Sequence, residues 1–254
     1  GIPTLMPHFL YVWPTISQRL RDARRVLLML DYDGTLTPIV DRPELAILPP
    51  ETKESLRNLS LSEKYLVGII SSRSLEDVSA KVGLNGLIYA GNHGLEIRGP
   101  GLEFVHPEAV QLLGTVDQAF QQLQQALAHL TGVIIEHKGM TLTVHYRLTP
   151  EGAVDQVRKG VDMTVGPFVE SGALSVFPGK KTWEIRPRVA WHKGYTVSKL
   201  QESFPQATIA VYFGDDLPDE DGFAAVQETG GMGVFVGPSG PATSALYRLD
   251  SPQE

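Results

Sequence analysis

Apolar residues fall along this chain in two rhythms, and the change between them divides it. Val26 to Leu30 is an unbroken apolar run that ends abruptly in Asp31-Tyr32-Asp33-Gly34-Thr35. Short continuous runs of this kind suit strands buried on both faces, as in a parallel sheet. The pattern predicts a helix over residues 51–61, after Pro49-Pro50, and a second buried strand from Tyr65 to Ile70 that closes in Ser71-Ser72-Arg73. Ser74-Leu75-Glu76-Asp77 reads as a capping box opening the next helix. Leu87 to Ala90 gives a third strand, followed by Gly91-Asn92-His93-Gly94. Strand, helix, strand, helix, strand is the grammar of an α/β domain with a parallel sheet.

Near residue 99 the rhythm changes. Residues 108–130 place Leu112, Leu113, Val116, Phe120, Leu123 and Leu127 at helical spacing. Val133-Ile134-Ile135-Glu136 follows, and then Leu142 to Arg147, which alternates like a strand with one solvated face. A helix over 151–163 and strands near 174–177 and 182–186 complete a small α+β unit. After Pro187 the first rhythm returns. Lys193 to Phe204 is predicted helical, Thr208 to Phe213 is a buried strand ending in Gly214-Asp215-Asp216, and Asp219 to Glu228 is helical. Val234 to Val236 forms a last strand, and a terminal helix is expected near 241–249. The expected fold is α/β: a parallel-sheet core over residues 1–98 and 188–254, interrupted by a smaller α+β domain at 99–187.

Composition mainly excludes. The 254 residues suffice for one large domain or for a core carrying an insertion, and 42% hydrophobic with 20% charged residues is ordinary globular usage. The net charge of −7 offers no basic field to nucleic acid or an anionic membrane, so neither is expected as a partner. The absence of cysteine rules out disulfides, thiolate zinc sites and cysteine nucleophiles, and fits a reducing compartment. No apolar run approaches the roughly 20 residues that span a bilayer. Phe9-Leu10-Tyr11-Val12-Trp13 is too short for a secretion signal, and its aromatic rings are expected to pack on the body of the protein. A soluble, cytoplasmic monomer is the expectation.

Candidate chemistry gathers where the predicted strands stop. In an open parallel sheet, ligands bind beyond the carboxyl ends of the strands. Four such ends carry polar residues: Asp31 and Asp33, Ser71 and Arg73, Asn92 and His93, Asp215 and Asp216. Carboxylates converging on one rim repel one another unless a cation sits among them, and an oxygen-only donor set favours magnesium. Such a site suits phosphoryl transfer. A carboxylate nucleophile gives an aspartyl phosphate, and a second carboxylate two residues on can protonate the leaving alcohol and later activate water. Lys193, opening a helix, would supply a fixed positive charge, and Ser71 a hydrogen bond to phosphate.

Asp31-Tyr32-Asp33-Gly34-Thr35, with Ser71, Lys193 and Gly214-Asp215-Asp216, resembles the four motifs of the haloacid dehalogenase superfamily of phosphatases. Within it the chain is most similar to trehalose-6-phosphate phosphatases. The similarity rests on Ile70-Ser71-Ser72-Arg73, Tyr89 to Glu96, Glu136-His137-Lys138, Val144-His145-Tyr146-Arg147, Glu184-Ile185-Arg186-Pro187 and Gly214 to Glu220. That resemblance implies a Rossmann-like core with an inserted mobile cap, and a sugar phosphate as the small-molecule substrate. It implies Asp31 as nucleophile, Asp33 as acid and base, and magnesium met by Asp31, Asp33 and Asp215, with Asp216 beside them. It also implies that Arg73, Asn92, His93, Glu136, Lys138 and Glu184 lie near the sugar or phosphate. Two positions depart from the family pattern: Ser72 stands where glycine is usual, and Pro218 where threonine is usual. Rival readings are a phosphatase for sucrose phosphate or a glycosyl phosphoglycerate, and a silent sugar-phosphate-binding module.

Overall fold

A computed structural model describes residues 6–238 and 242–254. The chain forms two compact units, one of Gly1–Phe104 with Trp191–Glu254 and one of Val105–Ala190. The first unit opens with helix α1 (Trp13–Asp22), which the apolar pattern did not announce, and strand β1 (Val26–Leu30). Then come α2 (Pro50–Leu61), β2 (Tyr65–Ile70), α3 (Leu75–Val82) and β3 (Ile88–Gly91), all close to their predicted places. Ser74 caps α3 by accepting the Asp77 N–H at 3.1 Å, and Gly83 ends the helix with φ +66°, a conformation glycine adopts without strain. Two further short strands, β4 (Glu96–Gly99) and β5 (Leu102–Val105), turn back as an antiparallel extension of the sheet.

In the second unit the predicted long helix is two, α4 (Pro107–Gln111) and α5 (Leu113–Leu127), interrupted at Leu112. Strands β6 (Ile134–His137) and β7 (Leu142–His145) follow, then α6 (Glu151–Glu170), β8 (Leu174–Gly179) and β9 (Thr182–Pro187). Helix α6 runs past the predicted end at 163 and through Pro167, because Val157, Val161 and Val165 continue one buried stripe. The four strands pair antiparallel in the order β6-β7-β9-β8. Leu142, Val144 and Ile185 point into a core shared with Val116, Leu123 and Leu127 of α5. Alternation sends Glu136, Thr143 and Glu184 to the opposite face.

The first unit resumes with α7 (Lys193–Ser203), β10 (Ile209–Gly214), α8 (Asp219–Glu228), β11 (Met232–Val236) and β12 (Tyr247–Leu249). The expected terminal helix is therefore wrong where it is described. Residue 241 lies outside the described residues, and Tyr247–Leu249 is instead an edge strand, in parallel register with Val234–Val236. The eight strands run β12-β11-β10-β1-β2-β3-β4-β5, parallel from β12 to β3. Leu27 and Met29 of β1 face Val197 and Leu200 of α7 and Phe223 of α8, whereas Leu30 shares a cluster with Leu56 of α2 and Val78 of α3. Both faces of the sheet are thus covered, which is why its strands read as continuous apolar runs.

Phe9 packs edge-on to Phe213 and Tyr247, as the aromatic N-terminal segment led us to expect, but Tyr11 is 84% exposed. His8 Nδ1 accepts the Leu10 N–H at 3.2 Å, which leaves the imidazole proton on Nε2, toward Glu254 at 3.2 Å. Phe104 and Trp191, the residues that flank the second unit in sequence, pack with ring centroids 5.3 Å apart and planes tilted by 30°. Tyr195 stacks on Trp191 in turn, and the Lys199 ammonium sits 4.2 Å over the Phe104 ring. Among the described residues no helix is long and apolar enough to cross a membrane.

Candidate active site

Strand register brings the polar ends together. Leu30 lies between Phe213 of β10 and Ile69 of β2, so Asp31, Gly214 and Ile70 leave the sheet side by side, and the Asp31 N–H donates to the Phe213 carbonyl at 2.9 Å. Beyond this rim Asp31, Asp215 and Asp219 each offer a carboxylate oxygen within 4.8 Å of the others, and all three are buried. Lys193, 3% exposed at the start of α7, donates to Asp31 Oδ1 at 3.0 Å and to Asp219 Oδ1 at 2.9 Å.

Asp219 is saturated. Its Oδ1 also accepts the Tyr212 hydroxyl at 2.6 Å, and its Oδ2 accepts the backbone N–H groups of Asp215 at 3.0 Å and Asp216 at 3.1 Å. Burial opposes its charge, yet Lys193, the Tyr212 hydroxyl and the Asp216 amide hold its carboxyl below the usual range. Asp31 goes the other way. Burial, reinforced by Asp219 and Asp215 and only partly offset by Lys193, pushes its carboxyl well above the usual range. One lysine does not balance three buried carboxylates, of which Asp219 is the one saturated by donors of the protein itself. A hard divalent cation fits that donor set. Gly34 makes room for the Asp215 carboxylate: with φ +83°, a Cβ there would sit 1.9 Å from Asp215 Oδ2. Asp216 is not part of the cluster; its Oδ1 accepts the N–H of the exposed Leu217 at 2.8 Å.

Asp33 lies beside this group, 31% exposed, with both carboxylate oxygens held by Arg73 at 2.8 and 2.9 Å. Ser71 is fully buried at the end of β2, where its Oγ accepts the Arg73 N–H at 3.0 Å. Asn92 and His93 are buried in a tight turn with φ +49° and +61°, a region costly for residues other than glycine, at roughly 1–3 kcal/mol each. Their backbone N–H groups are tied to the Arg73 and Ser71 carbonyls at 2.7 and 2.8 Å, and Asn92 Nδ2 donates to Glu96 at 3.1 Å.

In the second unit, Glu136, Thr143, Glu184 and Phe177 occupy one row across the sheet. Lys138 Nζ lies 3.6 Å from Glu184 Oε1, which also accepts Arg186 Nε at 3.0 Å, and the Arg186 guanidinium covers the Phe177 ring at 4.2 Å. His145 Nε2 is 2.9 Å from Glu136 Oε1. Glu136 and Lys138, predicted from one segment, and Glu184, from another, therefore share one polar face.

A family model described as trehalose-phosphatase matches residues 29–253. The chain belongs to the trehalose-phosphatase family. It is 35% identical to a trehalose-phosphate phosphatase of Mycobacterium tuberculosis over 91% of its own length and 59% of that protein's. It is 36% identical to an uncharacterized glycosyl hydrolase of the same species, of which it spans only 19%. The trehalose 6-phosphate phosphatase RA3 of Zea mays is 31% identical over 91% of this chain and 68% of the other. Among solved structures, the C-terminal domain of C. albicans trehalose-6-phosphate phosphatase has a TM-score of 0.82 at 27% identity, covering 99% of this chain and 95% of that one.

Two residues of this trehalose-phosphatase-family site escaped the sequence reading. Asp219 passed as an ordinary acidic opener of α8, although its place four residues after Asp215 brings it back under the same loop. Tyr212 passed as one more apolar residue of β10. A buried tyrosine needs a partner for its hydroxyl, which is the one signal that could have singled it out.

Proposed function

We propose that this chain hydrolyses trehalose 6-phosphate to trehalose and inorganic phosphate through a phosphate ester of Asp31. The observation that carries the reading is the buried Asp31 carboxylate, aimed past the end of β1 among Asp215, Asp219 and Lys193. Asp31 Oδ attacks phosphorus while the bond from phosphorus to the sugar oxygen breaks, and Asp33 delivers a proton to that oxygen. In the second half, Asp33 takes a proton from water as the water oxygen attacks phosphorus, releasing phosphate and restoring the Asp31 carboxylate. Lys193 offsets the charge beside the nucleophile throughout. Ser71, with the Asn92–His93 turn tied to it, borders the phosphoryl position.

Asp31, Asp215 and the backbone carbonyl of Asp33 are the groups we assign to magnesium. When bound, the ion neutralises phosphate oxygens so that an anionic carboxylate can approach phosphorus. Asp219 is left out of that set because its lone pairs are already taken. We assign sugar recognition to Glu136, Lys138 and Glu184 of the second unit, which acts as the cap. Carboxylates and an ammonium on one sheet face are suitable partners for sugar hydroxyls.

The test is phosphate release from a panel of sugar phosphates, with magnesium and with EDTA, for the wild type and Asp31→Asn. Magnesium-dependent release greatest for trehalose 6-phosphate and abolished in Asp31→Asn is the expected result. A maximum on sucrose phosphate would overturn the cap assignment while leaving the core chemistry standing. Binding of trehalose 6-phosphate without turnover would overturn the catalytic reading.

A further inference from the structure

Arg73 follows the phosphate-side serine at the end of β2, a position that invites a role in holding substrate. Its surroundings assign it another. The side chain is 6% exposed. Nε donates to Asp33 Oδ2 at 2.9 Å and Nη2 to Asp33 Oδ1 at 2.8 Å, a two-pronged grip on one carboxylate. The second Nη2 hydrogen goes to the Pro43 carbonyl at 2.7 Å, and Nη1 donates to Asp77 Oδ2 at 2.8 Å. Four of the five N–H donors of a guanidinium are therefore committed within the protein. The backbone of Arg73 is fixed as well, its N–H on Ser71 Oγ and its carbonyl on the Asn92 N–H. Beneath the guanidinium lies the ring of Tyr32, 5.5 Å from its carbon to the ring centre. Asp77 stands in the first turn of α3, its own N–H capped by Ser74, with Lys81 3.9 Å from its other oxygen.

We infer that Arg73 is a positioning residue for Asp33 rather than a ligand of the substrate, and that Asp77 holds Arg73 in that duty. The inference rests on the assignment of Asp33 as acid and base. An acid/base group must meet the leaving oxygen in one orientation, and a free carboxylate rotates about its terminal bond. The planar fork stops that rotation, which a point-charge lysine could not do. It does so without consuming the carboxylate, because each oxygen keeps a second lone pair to carry the proton. Asp77 in turn prevents the fork from swinging toward the phosphate. The order along the chain, Asp33 to Arg73 to Asp77, is a carboxylate–guanidinium–carboxylate clamp in which only the first member touches the reaction.

The test is steady-state turnover of trehalose 6-phosphate by Arg73→Lys, Arg73→Met, Asp77→Asn, Asp33→Asn and the double variant Asp33→Asn/Arg73→Met. The expected result is a fall in kcat of roughly 100-fold for Arg73→Met and about 10-fold for Arg73→Lys, with KM within about twofold of wild type. Asp77→Asn, at a side chain 36% exposed, lowers kcat about fivefold with KM again unmoved. The double variant is no slower than Asp33→Asn alone, since Arg73 has no carboxylate left to orient. A tenfold rise in KM with kcat kept, multiplying effects in the double variant, or kcat within about twofold of wild type for the arginine variants would each overturn the inference. If Arg73→Met does not fold, Asp77→Asn decides: unchanged kcat overturns the clamp. Failure of the underlying assignment looks different, because Asp33→Asn would then turn over at the wild-type rate whatever the Arg73 variants do.

Discussion

Gly34→Ala tests whether the placement of Asp215 matters more than its presence. The substitution adds one methyl group and removes no functional atom. That methyl would lie 1.9 Å from Asp215 Oδ2 and 2.5 Å from its Cγ. A carbon meets an oxygen comfortably at roughly 3.3–3.6 Å, so the carboxylate must retreat by about 1.5 Å. The alanine must also adopt φ near +83°, at a cost of roughly 1–2 kcal/mol. For a chain of this size that lowers Tm by about 2–8 °C. Displacing a reacting or charge-offsetting group by 1 Å commonly costs about 100-fold in rate, or about 2.7 kcal/mol of barrier. We therefore expect a folded enzyme with kcat reduced about 100-fold and a higher magnesium requirement. Phosphate release titrated against magnesium, beside a thermal melt followed by circular dichroism, reads both quantities. A variant with half-saturating magnesium and kcat within about twofold of wild type would refute the reasoning, because Asp215 would then work from a displaced position.

Three further outcomes follow from the same geometry. Lys193→Met strands Asp31 and Asp219 as buried charges without their shared partner, and urea denaturation should show a loss of roughly 3–5 kcal/mol. Asp215→Asn should weaken magnesium binding at least about tenfold by calorimetric titration, whereas Asp216→Asn, whose carboxylate serves the Leu217 amide, should change it by less than about threefold. Burial raises the Tyr32 phenol from 10.0 to about 12. The folded state thus keeps a proton that the unfolded chain gives up, so the contribution is complete below pH 10 and is lost as pH rises from 10 to 12. The slope is about 1.4 kcal/mol per pH unit and the total on the order of 3 kcal/mol. Urea midpoints measured from pH 9 to 12 should fall less steeply in Tyr32→Phe than in wild type, and identical slopes would contradict the assignment.

What could be read in advance was whatever a single stretch of chain decides by itself. Val26–Leu30 and Ile209–Phe213 announce buried parallel strands because both their faces are covered, and Asp31 and Asp215 are conspicuous as charges placed directly after such runs. What escaped depends on partners distant in sequence. Tyr247–Leu249 is a strand because Val234–Val236 offers an edge to it, and three residues alone carry no period to reveal this. Glu96–Gly99 and Leu102–Val105 carry no pattern that announces them as strands around the expected boundary at residue 99, yet Tyr89 and Ala90 draw the first of them into the large sheet. The helix expected over 151–163 runs on to Glu170 because the valine stripe buried beneath it continues to Val165. The roles of Asp219 and Arg73 turn on side-chain contacts made across 26 and 40 residues of chain, which no local pattern encodes.

The contact of Phe104 with Trp191 bears on how such an enzyme can change its clientele. The chain departs from the large sheet and comes back to it through adjacent aromatic rings, so for the sheet Val105–Ala190 is an insertion whose two ends meet at one place. Closure entropy grows only with the logarithm of the enclosed length, about 0.6 kcal/mol per doubling. A longer, shorter or unrelated insert would therefore burden the parent fold very little, provided its ends met at the same place. On the proposed assignment, phosphorus chemistry stays fixed in one part of the gene while recognition is traded in another. Transplanting a foreign insert between Phe104 and Trp191 is the laboratory version of that exchange.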